Sequence, residues 1–200
     1  MASEPSTYTT DPNEISQILE ARHADPFGFL GLHKNPAGTG WVLRVFRPGA
    51  ARVIVIPEGG NEIEMTSIDP VGLYEYIFET KPEKFAYQLR YQFGEDLTDP
   101  QADVYAFGPV LGEQDLHYFG EGSHRYLWKC LGSHLREVEG VSGVSFAVWA
   151  PNAYRVSVVA DFNAWDGRVH PMRNHNGVWE IFIPHISTGE HYKFEIVGAG

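Results

Sequence analysis

The sequence predicts a mainly all-β protein with two tandem β-sandwiches, a short N-terminal helix and a partly helical spacer. An internal repeat is the first observation, because LRVFRPGAARVIVI at 43–56 matches FAVWAPNAYRVSVV at 146–159. The second is a series of short segments in which apolar and polar residues alternate between turn residues, without long helices between them. A repeat separated by 103 positions indicates two whole domains rather than a solenoid of short units.

The repeat falls on strand positions and turns, so it indicates a duplicated fold rather than shared composition. At the constant offset of 103, six residues recur: Val45, Pro48, Ala50, Arg52, Val53 and Val55 match Val148, Pro151, Ala153, Arg155, Val156 and Val158. A second block, GLYEYIF from Gly72, matches GVWEIFI from Gly177 at an offset of 105. We therefore expect a tail at 1–10, a first sandwich with its leading helix at 11–105, a spacer at 106–140 and a second sandwich at 141–200.

The helix should begin at Asp11, which can cap it, because Pro12 suits the first helical position and Glu14 follows three residues after the cap. It should end before Asp25, which precedes a proline. In the spacer, Ser123 is expected to cap a short helix over 124–131 that stops at Gly132. Strands are expected at 41–47, 52–57, 61–66, 72–79 and 84–93, and again at 143–150, 153–160, 177–183 and 190–197.

The second copy contains no counterpart of residues 96–104 of the first. We therefore expect the second sandwich to be C-terminally truncated, without its closing edge strand, and the chain to be the front portion of a longer protein, since sheets rarely stay open.

Composition excludes several classes of function. The net charge of −11 disfavours nucleic acid and anionic lipid as partners, and no stretch of 18 apolar residues could span a membrane. The single cysteine fits a reducing compartment, so a cytoplasmic location is expected. Nine histidines occur without HxH, HxxxH or HExxH spacing, and no nucleotide-binding motif is present. We expect no metal, no cofactor and no catalytic constellation.

The largest difference between the copies follows the second strand, where PEGG at 57–60 is replaced by DFNAWDGR at 161–168. A tryptophan in such a turn-rich loop can offer a flat apolar face to the C–H groups of a sugar ring, or can simply cover the end of the sandwich. Trp165 is therefore a candidate sugar platform. Lys193, in HYKFEI, could donate to sugar hydroxyls or be a solvated strand residue. Trp149 and Trp179 are expected to be core residues, because each matches an aromatic in the first copy, and Trp41 and Trp128 are expected to be packing residues.

Several motifs together resemble the N-terminal region of bacterial glycogen branching enzymes, over residues 12–200. They are DPFGFLGLH at 25–33, FGPVLGEQDLHYFGEGSH at 107–124, LGSH at 131–134, FAVWAPNAYRVSVVADFNAWDGRVHPM at 146–172 and GVWEIFIP at 177–184. FAVWAP and DFNAWDG alone would indicate only a starch- or glycogen-binding sandwich module. The upstream motifs narrow the resemblance to branching enzymes of the α-amylase superfamily.

The resemblance implies two immunoglobulin-like sandwiches followed by a catalytic barrel that moves α-1,4-glucan segments into α-1,6 branches by a two-carboxylate mechanism. We expect the barrel to be absent here and this part to be inactive by itself. α-Glucan, glycogen or amylose, is the implied partner, bound by Trp165 and Lys193, with Asn163 helping to orient the chain. Ala164 replaces a glycine common in this loop, which is a small change. The second sugar-stacking tryptophan of related modules would fall near Gly200, where no aromatic stands, so binding should be weak. Two alternatives stay open: purely structural modules that control chain length, or the front of a debranching or trehalohydrolase-type enzyme.

Overall fold

The computed structural model describes residues 11–84, 86–123 and 125–198, and strands dominate it. These residues divide into two compact units, one made of 11–24 and 28–100 and the other of 25–27 and 101–198. Every strand pair is antiparallel. The all-β prediction is therefore confirmed. No helix within the described ranges has the length and apolar character needed to cross a membrane.

The N-terminal helix α1 spans Pro12–Leu19, as the capping pattern predicts. The Asp11 carboxylate accepts the backbone N–H of Asn13 at 2.9 Å, which satisfies one of the unpaired donors at the helix start. Ile18 is the residue of this helix that is buried. A single turn, α2, follows at Pro26–Phe29.

The first unit contains eight strands: β1 (Gly31–Lys34), β2 (Trp41–Phe46), β3 (Arg52–Pro57), β4 (Ile63–Glu64), β5 (Thr66–Asp69), β6 (Leu73–Phe78), β7 (Tyr87–Phe93) and β8 (Asp96–Leu97). They form two sheets in the orders β1-β2-β6-β5 and β4-β3-β7-β8. Leu43, Val53, Val55 and Leu89 are fully buried among the core residues. Alternation of β-branched and polar residues predicts this arrangement because successive side chains face opposite sides of a sheet.

The second unit contains six strands: β9 (Gly132–Val138), β10 (Val141–Trp149), β11 (Ala153–Ala160), β12 (Arg173–His175), β13 (Val178–Pro184) and β14 (Tyr192–Gly198). The sheets have the orders β12-β13-β10-β9 and β11-β14. Their core includes Phe146, Val156, Val158, Trp179 and Ile181. In the part of the chain that the structure describes, β14 pairs only with β11, whereas β7 pairs with both β3 and β8.

Gly72 and Gly177 begin the second repeated segment in each unit, and the geometry of the turn there explains why both are glycine. Gly72 has a φ of +131°, and a Cβ there would lie 2.3 Å from the carbonyl oxygen of Arg47. Gly177 has a φ of +96°, and a Cβ there would lie 2.8 Å from the Cα of Pro151. The glycine carbonyls accept N–H groups at 2.8 Å, from Arg47 in the first unit and from Ala150 in the second. Only glycine combines this backbone conformation with such a close approach.

The segment between the sandwiches covers the outer face of the β12-β13-β10-β9 sheet. Helix α3 (Glu113–Gly120) lies in it, with short 3₁₀ helices at Val104–Ala106 and Leu127–Lys129. Leu111, Phe119 and Cys130 pack there against Ala147 and Val178. The predicted helix over 124–131 is therefore wrong in position, because the longer helix lies earlier and, over the described residues 125–131, a 3₁₀ turn forms instead. Glu113 and Asp115 in the first turn suit the positive end of α3.

The Glu180 carboxylate, on β13, holds this covering segment to the sheet. One oxygen, Oε2, accepts the backbone N–H groups of Val110 and Leu111, both at 2.9 Å. The other, Oε1, lies 2.8 Å from Nε2 of His175, a close approach that lacks the alignment of a hydrogen bond. Glu180 is only 3% exposed. A buried carboxylate requires such partners, because an unpaired charge away from water is costly.

Candidate functional site

The loop that differs between the copies begins where β11 ends. A 3₁₀ turn at Asp161–Asn163 leads into Ala164 and Trp165, which both adopt left-handed backbone, with φ of 54° and 59°. For residues other than glycine this conformation is uncommon and costs about 1–2 kcal/mol each. The backbone N–H of Trp165 donates to the carbonyl of Ala160 at 2.9 Å, and that of Asp166 donates to the carbonyl of Asn163 at 3.1 Å. The loop is therefore held in a defined but strained turn.

Trp165 lies at the tip of this turn and is 42% exposed. Its indole Nε1–H donates to Oδ1 of Asp161 at 2.7 Å. This bond fixes the edge of the ring, so the N–H is occupied while part of the ring surface stays open to solvent. An exposed, edge-fixed indole can offer its apolar face to a flat ligand without first having to be ordered.

Lys193, on β14, places its ammonium beside this ring. It pairs across the sheet with Val159, and its Nζ lies 5.8 Å from the centroid of the Trp165 ring. The side chain is exposed. A lysine ammonium carries three donors, so it can donate hydrogen bonds to ligand hydroxyl oxygens beside the ring. A cation–π attraction holds the ammonium near the indole. The structure thus brings together the two residues that the sequence singled out most strongly.

Asn163 has a different environment and is 3% exposed. Its Oδ1 accepts the N–H of Ala160 at 2.9 Å, and its Nδ2 donates to the carbonyl of Val158 at 2.8 Å. Nδ2 also lies 2.9 Å from Nδ1 of His170. Both polar atoms of the amide are thus engaged inside the protein, and little of the side chain is open to a ligand. Asn163 ties the loop to the end of β11.

Asp166 and Arg168, which follow Trp165 in the loop, form an ion pair with each other. Asp166 accepts two hydrogen bonds from Nε of Arg168, at 3.0 and 3.1 Å, and one from its Nη2 at 2.7 Å. Burial acts to raise the pKa of Asp166, but the hydrogen bonds from Arg168 outweigh it and hold that pKa below its ordinary value. The same hydrogen bonds raise the pKa of Arg168. Asp166 is therefore an ionised, paired carboxylate at neutral pH rather than a proton donor.

Arg155, on β11, connects the loop to β14 and was not singled out for this site by the sequence. Its Nη1 donates to the carbonyl of Gly167 at 2.8 Å and to the hydroxyl of Ser157 at 3.0 Å. Its Nη2 donates to Oε1 of Glu195 at 2.5 Å. In the sequence Arg155 stands out only as the repeat of Arg52, so nothing there indicates a link to the loop.

The other tryptophans divide between the core and the surface. Trp179 is 5% exposed and donates its indole N–H to the carbonyl of Ala150 at 3.0 Å, which confirms it as a core residue. Trp149 is 44% exposed, which contradicts its assignment to the core, and Trp128 is 65% exposed, which contradicts its expected role as a packing residue. Trp149 lies at the end of β10 and stacks on Phe119, with the rings inclined by 9°. Strand alternation cannot reveal that this face is only partly covered.

Trp165 and Lys193 are both exposed, so together they offer an open surface to a ligand. The second unit has concave regions of about 390 Å³, beside Phe146 and Tyr192, and about 470 Å³, beside Tyr118 and Tyr126, and neither is lined by Trp165 or Lys193. Small-molecule sites that bind tightly are usually concave. A shallow aromatic surface instead suits weak contact with a long, repetitive polymer.

Two further observations concern reactive groups. Within 11–84, 86–123 and 125–198, no three His, Cys, Asp or Glu side chains are grouped so that they could hold a metal ion. Burial, followed by the neighbouring carboxylate of Asp115, raises the pKa of the Cys130 thiol to about 11. This thiol is therefore protonated at neutral pH and has little nucleophilic character.

Comparison with known proteins agrees with the division into two units. Residues 11–105 match the family described as "alpha-1,4-glucan branching enzyme GlgB, N-terminal domain". Residues 130–200 match "Carbohydrate-binding module 48 (Isoamylase N-terminal domain)". The two matches together leave only a short stretch between them unassigned.

Curated relatives extend the similarity across both units. The chain is 49% identical over 189 residues to the 1,4-alpha-glucan branching enzyme GlgB of Pseudomonas aeruginosa, an alignment that covers 92% of this chain and 25% of the relative. The enzyme of the same name from Myxococcus xanthus is 46% identical over 185 residues, with coverage of 92% and 25%. That from Rubrobacter xylanophilus is 47% identical over 187 residues, with coverage of 93% and 25%.

The chain thus spans about a quarter of the length of these curated relatives. Over that quarter, the similarity includes both sandwiches and the segment between them. The chain therefore corresponds to the N-terminal region of 1,4-alpha-glucan branching enzymes, in which an N-terminal domain is followed by a carbohydrate-binding module 48.

Proposed function

We propose that the second unit docks α-glucan chains, such as glycogen or amylose, on the exposed face of Trp165, with Lys193 donating to sugar hydroxyls. The observation that carries the proposal is the pairing of an indole fixed by Asp161 with an ammonium 5.8 Å from its ring. A glucose ring has C–H groups on its faces and hydroxyls at its edge. An apolar plane with donors beside it matches that pattern.

Asn163 has a positioning role in this proposal rather than the direct sugar contact expected from the sequence. Its amide is buried and already bonded to Ala160 and Val158. Replacing those bonds with sugar hydroxyls would leave buried backbone groups unpaired, which costs about 1–3 kcal/mol each. Asn163 therefore holds the strained turn that presents Trp165.

Binding at this site is expected to be weak, near millimolar, which corresponds to about −4 kcal/mol. One aromatic face and one flexible ammonium offset only part of the entropy lost on association. Weak docking is still useful on a polymer, because one contact raises the local concentration of further chain near a second site. We infer that the benefit to the full-length enzyme is retention on glucan.

The parent activity that we propose is transfer of α-1,4-glucan segments to form α-1,6 branches in glycogen synthesis. Support comes from the relatives' names and from the family resemblance, and we assign no catalytic residue to this chain. We expect the chain to be inactive by itself, so incubation with amylose should leave the blue colour with iodine unchanged.

The single cysteine supports a cytoplasmic location.

Affinity electrophoresis tests the docking proposal. The chain should migrate more slowly in native gels that contain glycogen than in gels without it, and Trp165→Ala should abolish most of that retardation. Trp128→Ala is the matched control, since it removes another exposed tryptophan, 65% exposed, from the same unit. Equal retardation of the native chain and Trp165→Ala would favour purely structural modules, which act on chain length without holding glucan at this site.

A further inference from the structure

Arg155 lies between the elements that carry the two proposed sugar contacts. It donates to the carbonyl of Gly167, two residues after Trp165, and to the carboxylate of Glu195, two residues after Lys193. One guanidinium therefore joins the loop to the strand. The Arg155 side chain is 17% exposed and that of Glu195 is 42% exposed, so the pair is partly shielded from solvent.

The geometry of this link suits arginine and no other cation. The guanidinium is a planar fork whose nitrogens point in fixed, different directions, so two partners can be held at a set angle. Nη1 of Arg155 donates to the carbonyl of Gly167 at 2.8 Å, and Nη2 donates to the carboxylate of Glu195 at 2.5 Å. A lysine ammonium has a single nitrogen on a flexible stem and cannot fix both at once.

The packing at Gly167 is a second, independent indication that loop and strand are closely fitted. A Cβ at Gly167 would lie 2.1 Å from Oε1 of Glu195 and 2.9 Å from Nη1 of Arg155. Gly167 itself is buried. The loop backbone thus rests directly on the ion pair, and any side chain here would separate them.

In the first unit, Arg52 is the repeat of Arg155, but the short turn at 57–60 stands in place of the tryptophan loop at 161–168. Arg52 bonds to Glu64 through Nε and Nη2, at 2.8 and 2.6 Å, and to Gln92 through Nη1 at 3.2 Å. Its side chain is 47% exposed. These three hydrogen bonds all go to side chains, so none of them ties Arg52 to the backbone of a loop.

We propose that Arg155, with Glu195, is a positioning residue that sets the spacing between the Trp165 platform and the Lys193 ammonium. This inference rests on the proposed glucan-docking function. Its ligand is an α-1,4-linked maltooligosaccharide, which needs the aromatic face and the hydroxyl donor at one fixed separation. Arg155 itself does not touch the sugar.

The test uses the 200-residue chain and three variants: Arg155→Met, Arg155→Lys and the matched control Arg52→Met. Maltoheptaose is titrated to give a Kd, and thermal unfolding is followed in parallel. The indole N–H resonance of Trp165, assigned by its loss in Trp165→Phe, reports the position of the ring without any ligand. If Arg155→Met does not fold, Glu195→Met removes the acceptor at the other end of the same link.

We expect Arg155→Met, and to a lesser degree Arg155→Lys, to shift the Trp165 resonance and to weaken maltoheptaose binding about tenfold, the worth of one charge-assisted hydrogen bond. Arg52→Met should change neither. In a Trp165→Ala background, Arg155→Met should have no further effect on binding. An unchanged Kd and resonance in Arg155→Met would overturn the proposal.

Failure of the docking function gives a different result. If the native chain does not bind maltoheptaose at all, the proposed function is wrong, and the resonance alone decides the positioning role. A shift in Arg155→Met but not in Arg52→Met then supports it, and no shift refutes it.

Discussion

The carboxylate of Asp161 accepts the indole N–H of Trp165 at 2.7 Å, so the loop fixes its own tryptophan by the edge. The two residues are four apart in sequence, and Trp165 is itself one of the two left-handed residues of the turn. Because the N–H is occupied internally, the ring is expected to act through its face alone.

Removing the Asp161 acceptor should therefore weaken glucan docking without unfolding the chain. We expect Asp161→Ala to raise the Kd for maltoheptaose about three- to tenfold, since a lost hydrogen bond to a charged group allows the ring to rotate. Asp161→Asn keeps an oxygen acceptor and should stay within about twofold of the native value by the same argument. Calorimetric titration checks both, and equal affinities for all three proteins would contradict the role given to this bond.

Lys193 should contribute to affinity and not to stability, because its side chain is exposed. We expect Lys193→Met to weaken maltoheptaose binding about fivefold, the loss of one hydrogen bond to a hydroxyl, with an unchanged melting temperature. Lys129→Met is the matched control, since its Nζ lies 4.9 Å from the ring of Tyr126, away from the proposed platform. Native affinity in Lys193→Met, or an equal loss in Lys129→Met, would show that this ammonium does not donate to the sugar.

Glu180 should stabilise the second unit by holding the covering segment. Glu180→Ala leaves the N–H groups of Val110 and Leu111 without their acceptor, and we expect a loss of about 2–4 kcal/mol in the free energy of unfolding. Hydrogen exchange at these two amides should accelerate in the same variant. Glu190→Ala, at an exposed position, is the control and should change neither quantity. Unaltered exchange at both amides in Glu180→Ala would remove Glu180 from this role.

Much of the fold follows from local patterns. Valine-rich strands such as β3 and β11 lie where the sequence predicts them, because β-branched residues favour strands and the flanking turn residues mark where each strand begins and ends. The turns at Gly72 and Gly177 are also predictable, since left-handed backbone and close approach both require glycine. Trp165 could be found because it interrupts an otherwise matching repeat.

What the sequence could not reveal depends on segments that are distant along the chain. Glu180 occupies a strand position that alternation would assign to solvent, yet the covering segment buries it. Trp149 lies on that same outer face of the sheet, at the edge of the covering segment, so about half of its side chain stays exposed. Asn163 and Arg155 are ordinary loop and strand residues until the fold shows which backbone groups they bind. Such contacts carry no periodicity, so no local pattern indicates them.

Cys130 gives a prediction with a defined pH dependence. Burial and the nearby Asp115 carboxylate raise its pKa to about 11, from an ordinary value near 9, so folding favours the neutral thiol. A raised pKa means that the folded chain holds less thiolate than the unfolded chain between pH 7 and 9, by about a hundredfold at two units of difference. Labelling by a disulfide reagent should be slower by a similar factor in the folded chain than in guanidinium.

Asp115→Asn separates the two causes of this shift. The substitution removes the negative charge beside the thiol but leaves Cys130 buried, so the pKa should fall only part of the way and labelling of the folded chain should accelerate moderately. The labelling rate of the native chain should still rise with pH as far as about 11, because the thiolate is the reactive form. A rate that levels off near pH 9 in the folded native chain would show that the Cys130 thiol is not perturbed by its surroundings.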